Sequence, residues 1–127
     1  MKLSISANTW DFIPSRVSLI EKLLMGIPKK RKNILENLSS LIKNKQIDGI
    51  ELVLSIKNIE EDIKKLAVLF QKHNIQILSV HQAILQIWKI DLPSVEFLFK
   101  ASKILKAKVI VIHIYALRDY LEKPDLI

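Results

Sequence analysis

The stretch DLPSVEFLFKASKILKAKVIVIHI, residues 91–114, contains the pattern of one helix followed by one strand. Its first part repeats apolar side chains at the 3.6-residue period of a helix, as at Val95, Leu98 and Leu105. Its last part, residues 109–114, is a short run of Val and Ile typical of a buried strand. This stretch therefore predicts one helix–strand unit of an α/β protein.

Similar units fill the rest of the chain. Apolar runs predict three further strands, at residues 3–7, 49–54 and 75–80. Helical periodicity fills the gaps between runs, and predicts helices over residues 15–25, 29–45, 58–74 and 93–106. Asn58 is a candidate N-cap for the third of these helices, and Pro93 suits the first turn of the fourth. Strands that alternate with helices pair in parallel, so we expect a single α/β domain over residues 1–127.

Composition excludes several classes of protein. The chain has no cysteine, which removes disulfides and thiolate metal sites. No apolar block is long enough to span a membrane, and the first residues lack a signal-peptide pattern, so we expect a cytoplasmic protein without a membrane partner. The net charge of +7 admits a nucleic-acid partner through PKKRK at 28–32. That cluster has no interleaved aromatic residues, however, and a solvated helix start is the favoured interpretation.

Two of the three histidines lie near the ends of predicted strands. His81 follows the third strand, and His113 lies near the end of the fourth. Strict alternation places Ile77, Ser79 and His81 on one face of the third strand. Parallel α/β proteins build their sites at the carboxyl ends of strands, so the two imidazoles are candidates for one site. His73 is expected instead to satisfy carbonyl groups at a helix end.

Three segments together resemble a known family. They are DGIELVL at 48–54, IQILSVHQAI at 75–84 and the stretch 91–114. In their order and spacing they resemble the N-terminal half of the xylose isomerase-like TIM-barrel superfamily, which includes sugar phosphate isomerases/epimerases and type IV apurinic endonucleases. The resemblance implies a parallel (β/α) barrel of the TIM type, of which this chain holds about four βα units, a half-barrel or truncated barrel.

The resemblance also implies the residues of a site. Histidines that end the third and fourth strands are metal ligands in the family, or residues that support the ligands, and the resemblance implies the role of ligand for His81 and His113. The glutamate of the second-strand motif corresponds to Glu51, for which a catalytic role is expected. Neutral imidazole suits Zn, Mn or Co, and Mg is a further candidate for the divalent metal ion. Such an ion polarises a carbonyl or activates water.

Further residues near the strand ends are candidates for substrate binding. Trp10 and Trp88 could stack on a sugar, while Asn8 and Gln82 could donate hydrogen bonds to it. The expected function is metal-assisted isomerisation or epimerisation of a sugar or sugar phosphate. In the family, the remaining carboxylate ligands come largely from later strands. We therefore expect this chain to be incomplete as an enzyme, either lacking its C-terminal half or pairing with a second copy.

Two alternatives remain open. The first is a metal-dependent apurinic endonuclease, although SANTWDF at 6–12 lacks the histidine of that family's first-strand motif. The second is a non-catalytic half-barrel that self-associates, because its first and fourth strands would both be unpaired edges. A half-barrel monomer is also expected to expose a large apolar patch on its interior face.

Overall fold

The computed structural model describes residues 3–26, 33–83 and 92–113. Strands alternate with helices along the chain, as the sequence predicts. The elements are β1 Ser4–Asn8, a short 3₁₀ helix Thr9–Asp11, α1 Leu19–Met25, α2 Ile34–Lys43, β2 Gly49–Val53, α3 Glu60–Lys72, β3 Ile77–His81, α4 Leu92–Ile104 and β4 Val109–Val111.

The four strands form one parallel sheet in the order β1-β2-β3-β4, so each strand pairs with its neighbour in the chain. The predicted α/β class with parallel strands is therefore confirmed. All four strands end at the same edge of the sheet, which we call the carboxyl edge. The loops that follow the strands lie there, before each helix begins.

One face of the sheet carries the hydrophobic core. Ile50, Leu52 and Val80 on this face are completely buried. They belong to one cluster with side chains of three helices, namely Leu38 of α2, Ile63, Leu66 and Phe70 of α3, and Leu98, Ala101 and Leu105 of α4. Ile110 and Ile112 pack against the same cluster, as alternation along the fourth strand predicts. Burial of these aliphatic groups is the main stabilising contribution to the fold.

The opposite face, which we call the open face, carries both polar and apolar side chains. Strand register aligns Ser6, Glu51, Ser79 and Val109 in one row across it. Ser6 is exposed, and Glu51 and Ser79 are only half-buried. Serines and a glutamate occupy inward positions of β1, β2 and β3, whereas Val109 of β4 is 53% exposed, so the expected large apolar patch on this face stays a prediction.

Strict alternation fails in β3. The register shifts between Ile50 and Glu51, so that Ile77 pairs with Ile50 whereas Ser79 pairs with Glu51. Ile77 consequently lies in the core, on the opposite face from Ser79. The prediction that Ile77 shares a face with Ser79 and His81 is therefore wrong for Ile77. A bulge adds one residue to one strand, which apolar composition alone does not reveal.

Gly49 makes room for this bulge. A Cβ atom added at Gly49 would lie 2.4 Å from the carbonyl oxygen of Gln76 and 2.8 Å from Cγ of Leu78. The extra residue of β3 therefore fits only because β2 has no side chain at its first position.

The start of α3 also differs from the prediction. Ile59, not Asn58, is the N-cap residue, and the Asp62 carboxylate accepts the backbone N–H of Ile59 at 3.0 Å. Asn58 is used elsewhere, because its side-chain oxygen accepts two hydrogen bonds from the loops after β1 and β2. Acidic residues do fill the first turn of α3, where the helix dipole favours them. Pro93 lies in the first turn of α4, as expected.

Helices α2, α3 and α4 end in the same way. A residue in the left-handed conformation follows each of them, at Lys45, Asn74 and Lys106. The next backbone N–H then bonds a carbonyl five residues back, as from Ile75 to Phe70 at 2.8 Å. These turns satisfy the last helical carbonyls and direct the chain into the next strand.

None of the helices in the described segments is long and apolar enough to cross a membrane.

Candidate functional site

His81 and His113 meet at the carboxyl edge, and we call them the histidine pair. Their Nε2 atoms are 3.0 Å apart, and their ring centroids are 5.0 Å apart with the rings inclined at 62°. His81 is the last residue of β3 and is half-buried, whereas His113 is exposed and lies two residues past the end of β4. The fold therefore places in contact the two histidines that the strand pattern predicts to share a site.

Gln82 holds the two histidines in this arrangement. Its side chain is completely buried. Its backbone N–H donates to the carbonyl of Val111 at 3.1 Å, and its side-chain Oε1 accepts the backbone N–H of His113. The backbone carbonyl of Gln82 lies 2.6 Å from Nδ1 of His81. One residue thus contacts the backbone of the β4 end and the ring of His81.

These contacts fix the tautomer of His81. A backbone carbonyl can only accept a hydrogen bond, so Nδ1 of His81 carries the hydrogen. In the neutral ring, Nε2 of His81 then presents a lone pair. Nε2 of His113 donates to that lone pair when both rings are neutral. Alternatively, both Nε2 atoms can present lone pairs to one cation once His113 carries its hydrogen on Nδ1.

The spacing of the pair suits two ligands on one metal ion. Nitrogen ligands at a zinc ion's usual bond length lie about 2.9 to 3.4 Å apart, the lower value for a right angle and the upper for a tetrahedral angle. The observed 3.0 Å falls within that range. A hydrogen bond from the second ring nitrogen to a carbonyl, as His81 makes to Gln82, is also the usual support for a metal-bound histidine.

A third ligand is not found close by. Within residues 3–26, 33–83 and 92–113, no group of three or more His, Cys, Asp or Glu side chains is arranged to hold a metal ion. Catalytic zinc sites normally present three protein ligands. The described residues therefore offer two imidazole nitrogens at ligand spacing, which is fewer than such a site needs.

Glu51 lies on the same open face as the histidine pair but lower in the sheet. It pairs with Ser79, two register positions below the pairing of Val53 with His81. Two residues along a strand and one strand across put its Cα about 8 Å from that of His81. Its carboxylate accepts the hydroxyl of Ser6 at 2.8 Å. This hydrogen bond directs the carboxylate towards β1, on the side of β2 away from the histidine pair.

The other predicted residues lie in different surroundings. Asn8 ends β1 and is half-buried, and its backbone N–H donates to the Asp11 carboxylate at 2.9 Å. Trp10 is only 5% exposed, so its ring has no free face on which a sugar could stack. Gln82 is likewise buried, and its side-chain oxygen is already used by His113. Trp88 lies outside the described residues.

Sequence reasoning missed a second group of polar side chains, which we call the buried polar cluster: Thr9, Ser18, Glu21, Ser55 and Asn58. Asn58 Oδ1 accepts the Thr9 hydroxyl at 2.8 Å and the Ser55 N–H at 2.7 Å. Glu21 Oε1 accepts the Ser55 hydroxyl at 2.8 Å and the Ser18 N–H at 3.0 Å. The one feature of the sequence that indicates this cluster is Glu21, a lone carboxylate in the largely apolar helix LIEKLLM at 19–25.

No protein-family model matches the chain, and neither a curated protein nor a solved structure matches it.

Proposed function

We propose that the chain is the N-terminal half of a TIM-type barrel of the xylose isomerase-like superfamily, in which the histidine pair supplies two ligands to a divalent metal ion. The chemistry that this proposal assigns is metal-assisted isomerisation or epimerisation of a sugar or sugar phosphate. The missing ligands would come from a C-terminal half or from a second copy of the chain.

The histidine pair is the observation that carries the proposal. Two neutral imidazole nitrogens 3.0 Å apart, one of them fixed in its tautomer by a backbone carbonyl, match the ligand spacing and the outer hydrogen bond of a metal site. A structural role explains the pair less well, because His113 is exposed and neither ring packs in the core.

The order of the strands supports the barrel. In a doubly wound sheet the strand order reverses and helices cover both faces. Here the order runs β1-β2-β3-β4 without reversal, and the open face carries none of the core. Strands wound in one direction with helices on one side are what half of a TIM barrel contains.

Within this proposal each residue has a distinct task. A bound divalent ion would polarise the carbonyl oxygen of the sugar. His81 and His113 would hold that ion, and the Gln82 carbonyl would keep His81 in the ligating tautomer. Glu51 would move a proton between neighbouring carbons of the substrate, with Ser6 orienting its carboxylate.

Metal titration of the purified chain tests the proposal. Zn²⁺, Co²⁺ and Mn²⁺ binding are measured by calorimetry for the wild type and for His81→Ala and His113→Ala. His73→Ala is the matched control, because His73 ends α3 at the opposite edge of the sheet. Both site variants should lose more than the roughly 10- to 100-fold in affinity that removal of an outer-shell partner costs, and the control should bind as the wild type does. Unchanged metal binding in both site variants would refute the site.

Turnover is then measured with the metal-loaded chain, as interconversion of aldose and ketose phosphates. Activity in the wild type that disappears in Glu51→Gln, with metal affinity retained, supports the enzymatic role. Cleavage of an oligonucleotide containing an abasic site, without sugar isomerisation, would instead identify the endonuclease alternative.

A second candidate is a non-catalytic half-barrel that self-associates. Among the described residues, strands β1 and β4 form the two edges of the sheet, and Ile5 and Val109 on them are exposed. Unpaired edge strands with exposed aliphatic side chains favour pairing with another chain. Metal binding without turnover, together with a dimer in light scattering, favours this candidate over the enzyme.

A further inference from the structure

The edge of the sheet opposite the histidine pair, which we call the amino edge, is strongly basic. The turns that lead into β2, β3 and β4 meet there, within the three segments 43–48, 71–76 and 103–108. These segments contain six lysines and a single acid, Asp48, whose carboxylate already accepts the backbone N–H of Leu3 at 2.7 Å. All six lysine side chains are exposed, and we call them the edge lysines: Lys43, Lys45, Lys72, Lys103, Lys106 and Lys108.

The charge of the protein is divided between the two ends of the strands. At the carboxyl edge, residues 9–18, 55–62 and 92–97 hold five acidic residues against one lysine and one arginine. None of the edge lysines forms a salt bridge with another of the described residues. The described part of the fold therefore leaves the positive charge of the amino edge available to an external anion.

Stabilisation of helix ends accounts for only half of the edge lysines. Lys43, Lys72 and Lys103 lie in the last turns of α2, α3 and α4, where a positive charge interacts favourably with the helix dipole. Lys45 and Lys106 lie beyond the helices in the left-handed conformation, at φ of 58° and 57°. Glycine adopts that conformation without steric cost, so the geometry of the turns does not explain a lysine at either position.

The neutral side chains between the edge lysines are hydrogen-bonding groups. Five exposed carboxamides lie in the first two segments, at Asn44, Gln46, Gln71, Asn74 and Gln76. No large apolar side chain of the three segments is exposed, because the aliphatic residues there pack in or against the core. The surface of the amino edge therefore consists mainly of ammonium and carboxamide groups.

This composition matches a nucleic acid better than a lipid surface or an acidic protein. Helices that bind lipid surfaces insert apolar side chains between the headgroups. Protein interfaces are depleted in lysine and depend on aromatic or aliphatic anchors. Interfaces with DNA are instead polar and strongly positive, and most of their hydrogen bonds run from Lys, Arg, Asn, Gln and similar groups to phosphate and sugar.

We propose that the amino edge binds the phosphate backbone of duplex nucleic acid without sequence preference. A duplex carries one phosphate charge per about 1.7 Å of its axis, and the starts of three neighbouring strands span about 10 Å, so several edge lysines reach one duplex together. The three segments contain no Phe, Tyr or Trp for stacking on unpaired bases, which favours a duplex over a single strand. The proposal does not depend on the metal site, which lies at the other end of the strands.

Fluorescence anisotropy of a short DNA duplex, titrated with the full chain, tests the proposal. If the six edge lysines contact phosphates, affinity should fall about 1000-fold between about 50 and 200 mM salt, because each contact releases counterions. A second duplex of unrelated sequence should bind equally. The single strand, and vesicles that contain phosphatidylserine, should bind more weakly at equal phosphate concentration.

The edge lysines are tested by Lys45→Gln/Lys106→Gln/Lys108→Gln, which leaves the helix ends unchanged. Three phosphate contacts remain in this variant, so the same increase in salt should weaken its binding only about 40-fold. Replacing the three helix-end lysines by glutamine instead should have the same effect. Circular dichroism verifies that both variants keep the wild-type secondary structure.

The matched control is Lys22→Gln/Lys57→Gln/Lys65→Gln. It removes the same net charge from exposed positions in α1, in the loop after β2 and in the first half of α3. It should keep the wild-type dependence on salt, about 1000-fold over that range, because all six edge lysines remain.

Three results would overturn the proposal. The first is no binding of the duplex at the lower salt concentration. The second is the same dependence on salt in the edge-lysine variants and in the matched control. The third is tighter binding of the single strand or of the anionic vesicles than of the duplex.

Discussion

Two regions at the carboxyl edge carry polar side chains in opposite surroundings. One region consists of the loops after β1 and β2, and the other of the ends of β3 and β4. In the buried polar cluster, Asn58 and Glu21 are more than 90% buried, and each accepts two hydrogen bonds from neighbouring loops. In the histidine pair, His113 is exposed and the two imidazoles contact each other through their Nε2 atoms.

This difference separates groups that hold the fold from groups that are free to act. A buried acceptor that satisfies two donors stabilises the loops, although Glu21 Oε2 and Asn58 Nδ2 have no hydrogen-bond partner among the described residues. An imidazole pair at the surface contributes little burial, yet it presents two nitrogen ligands. Substitutions in the first region should therefore change stability, and substitutions in the second should change binding.

The largest expected effect is on the buried polar cluster. Asn58→Ala removes the acceptor of the Ser55 N–H and the Thr9 hydroxyl, and leaves both donors buried without partners. The free energy of unfolding should fall by about 3 kcal/mol. Urea unfolding measures this, with the exposed Asn37→Ala of α2 as control, expected within about 0.5 kcal/mol of the wild type. Equal values for the two variants would show that the cluster does not hold the loops.

The bulge between β2 and β3 lies near the start of both strands, and Gly49→Ala tests it. The added methyl would overlap the backbone carbonyl of Gln76, which cannot move without disturbing the sheet. We expect a loss of about 2 kcal/mol in unfolding free energy. Because β3 carries His81, metal binding should weaken as well. A fully stable Gly49→Ala chain would show that the register shift does not depend on this glycine.

Gln82→Met should change binding with little effect on stability. It removes the acceptor for the His113 backbone N–H, but it also removes the Gln82 Nε2 group, which is buried with no hydrogen-bond partner among the described residues. Metal affinity should fall about tenfold and unfolding free energy should change by less than about 1 kcal/mol. Gln82→Glu keeps the acceptor oxygen and should restore affinity. If Gln82→Glu does not restore metal affinity, Gln82 does not position the histidine pair through its side-chain oxygen.

The smallest expected effect lies outside both regions, in the ion pairs between α3 and α4. Hydrogen bonds from Lys100 and Lys64 and their positive charges lower the pKa of Glu60 from its ordinary 4.5. A lowered carboxyl pKa stabilises the fold above the unfolded-state value, and the contribution is lost as pH falls through the folded-state value. Lys100→Gln should thus lower the melting temperature slightly at neutral pH and leave it unchanged in strong acid. Lys103→Gln on the same helix is the control, and an equal shift for both would exclude the ion pair.

The sequence predicted the fold through its apolar periodicity. Buried apolar residues determine where the strands and helices form. The βα order, the parallel pairing and the contact between His81 and His113 follow from them. Ile110 and Ile112 are the clearest cases, since an aliphatic strand face must be covered by helices.

The missed features depend on tertiary contacts instead. The N-cap preference of Asn58 was overridden because its side chain satisfies two loop donors. Ile77 lies on the core face because β3 contains a bulge. The bulge depends on a tertiary contact, the close packing of Leu78 against Gly49. The helix LIEKLLM shows its aliphatic side to solvent because Glu21 finds partners in a loop 34 residues away. Local propensity contains none of these long-range partners.

Nitrogen-15 NMR of the histidine rings, during titration with Zn²⁺, tests the proposed metal site most directly. Without metal, His81 should carry its hydrogen on Nδ1 and His113 on Nε2. With one equivalent of Zn²⁺, both Nε2 resonances should shift as metal-bound nitrogens, His113 should change its tautomer, and His73 should not respond. Unshifted His81 and His113 resonances, or an equal response of His73, would contradict the assignment of the histidine pair as a metal site.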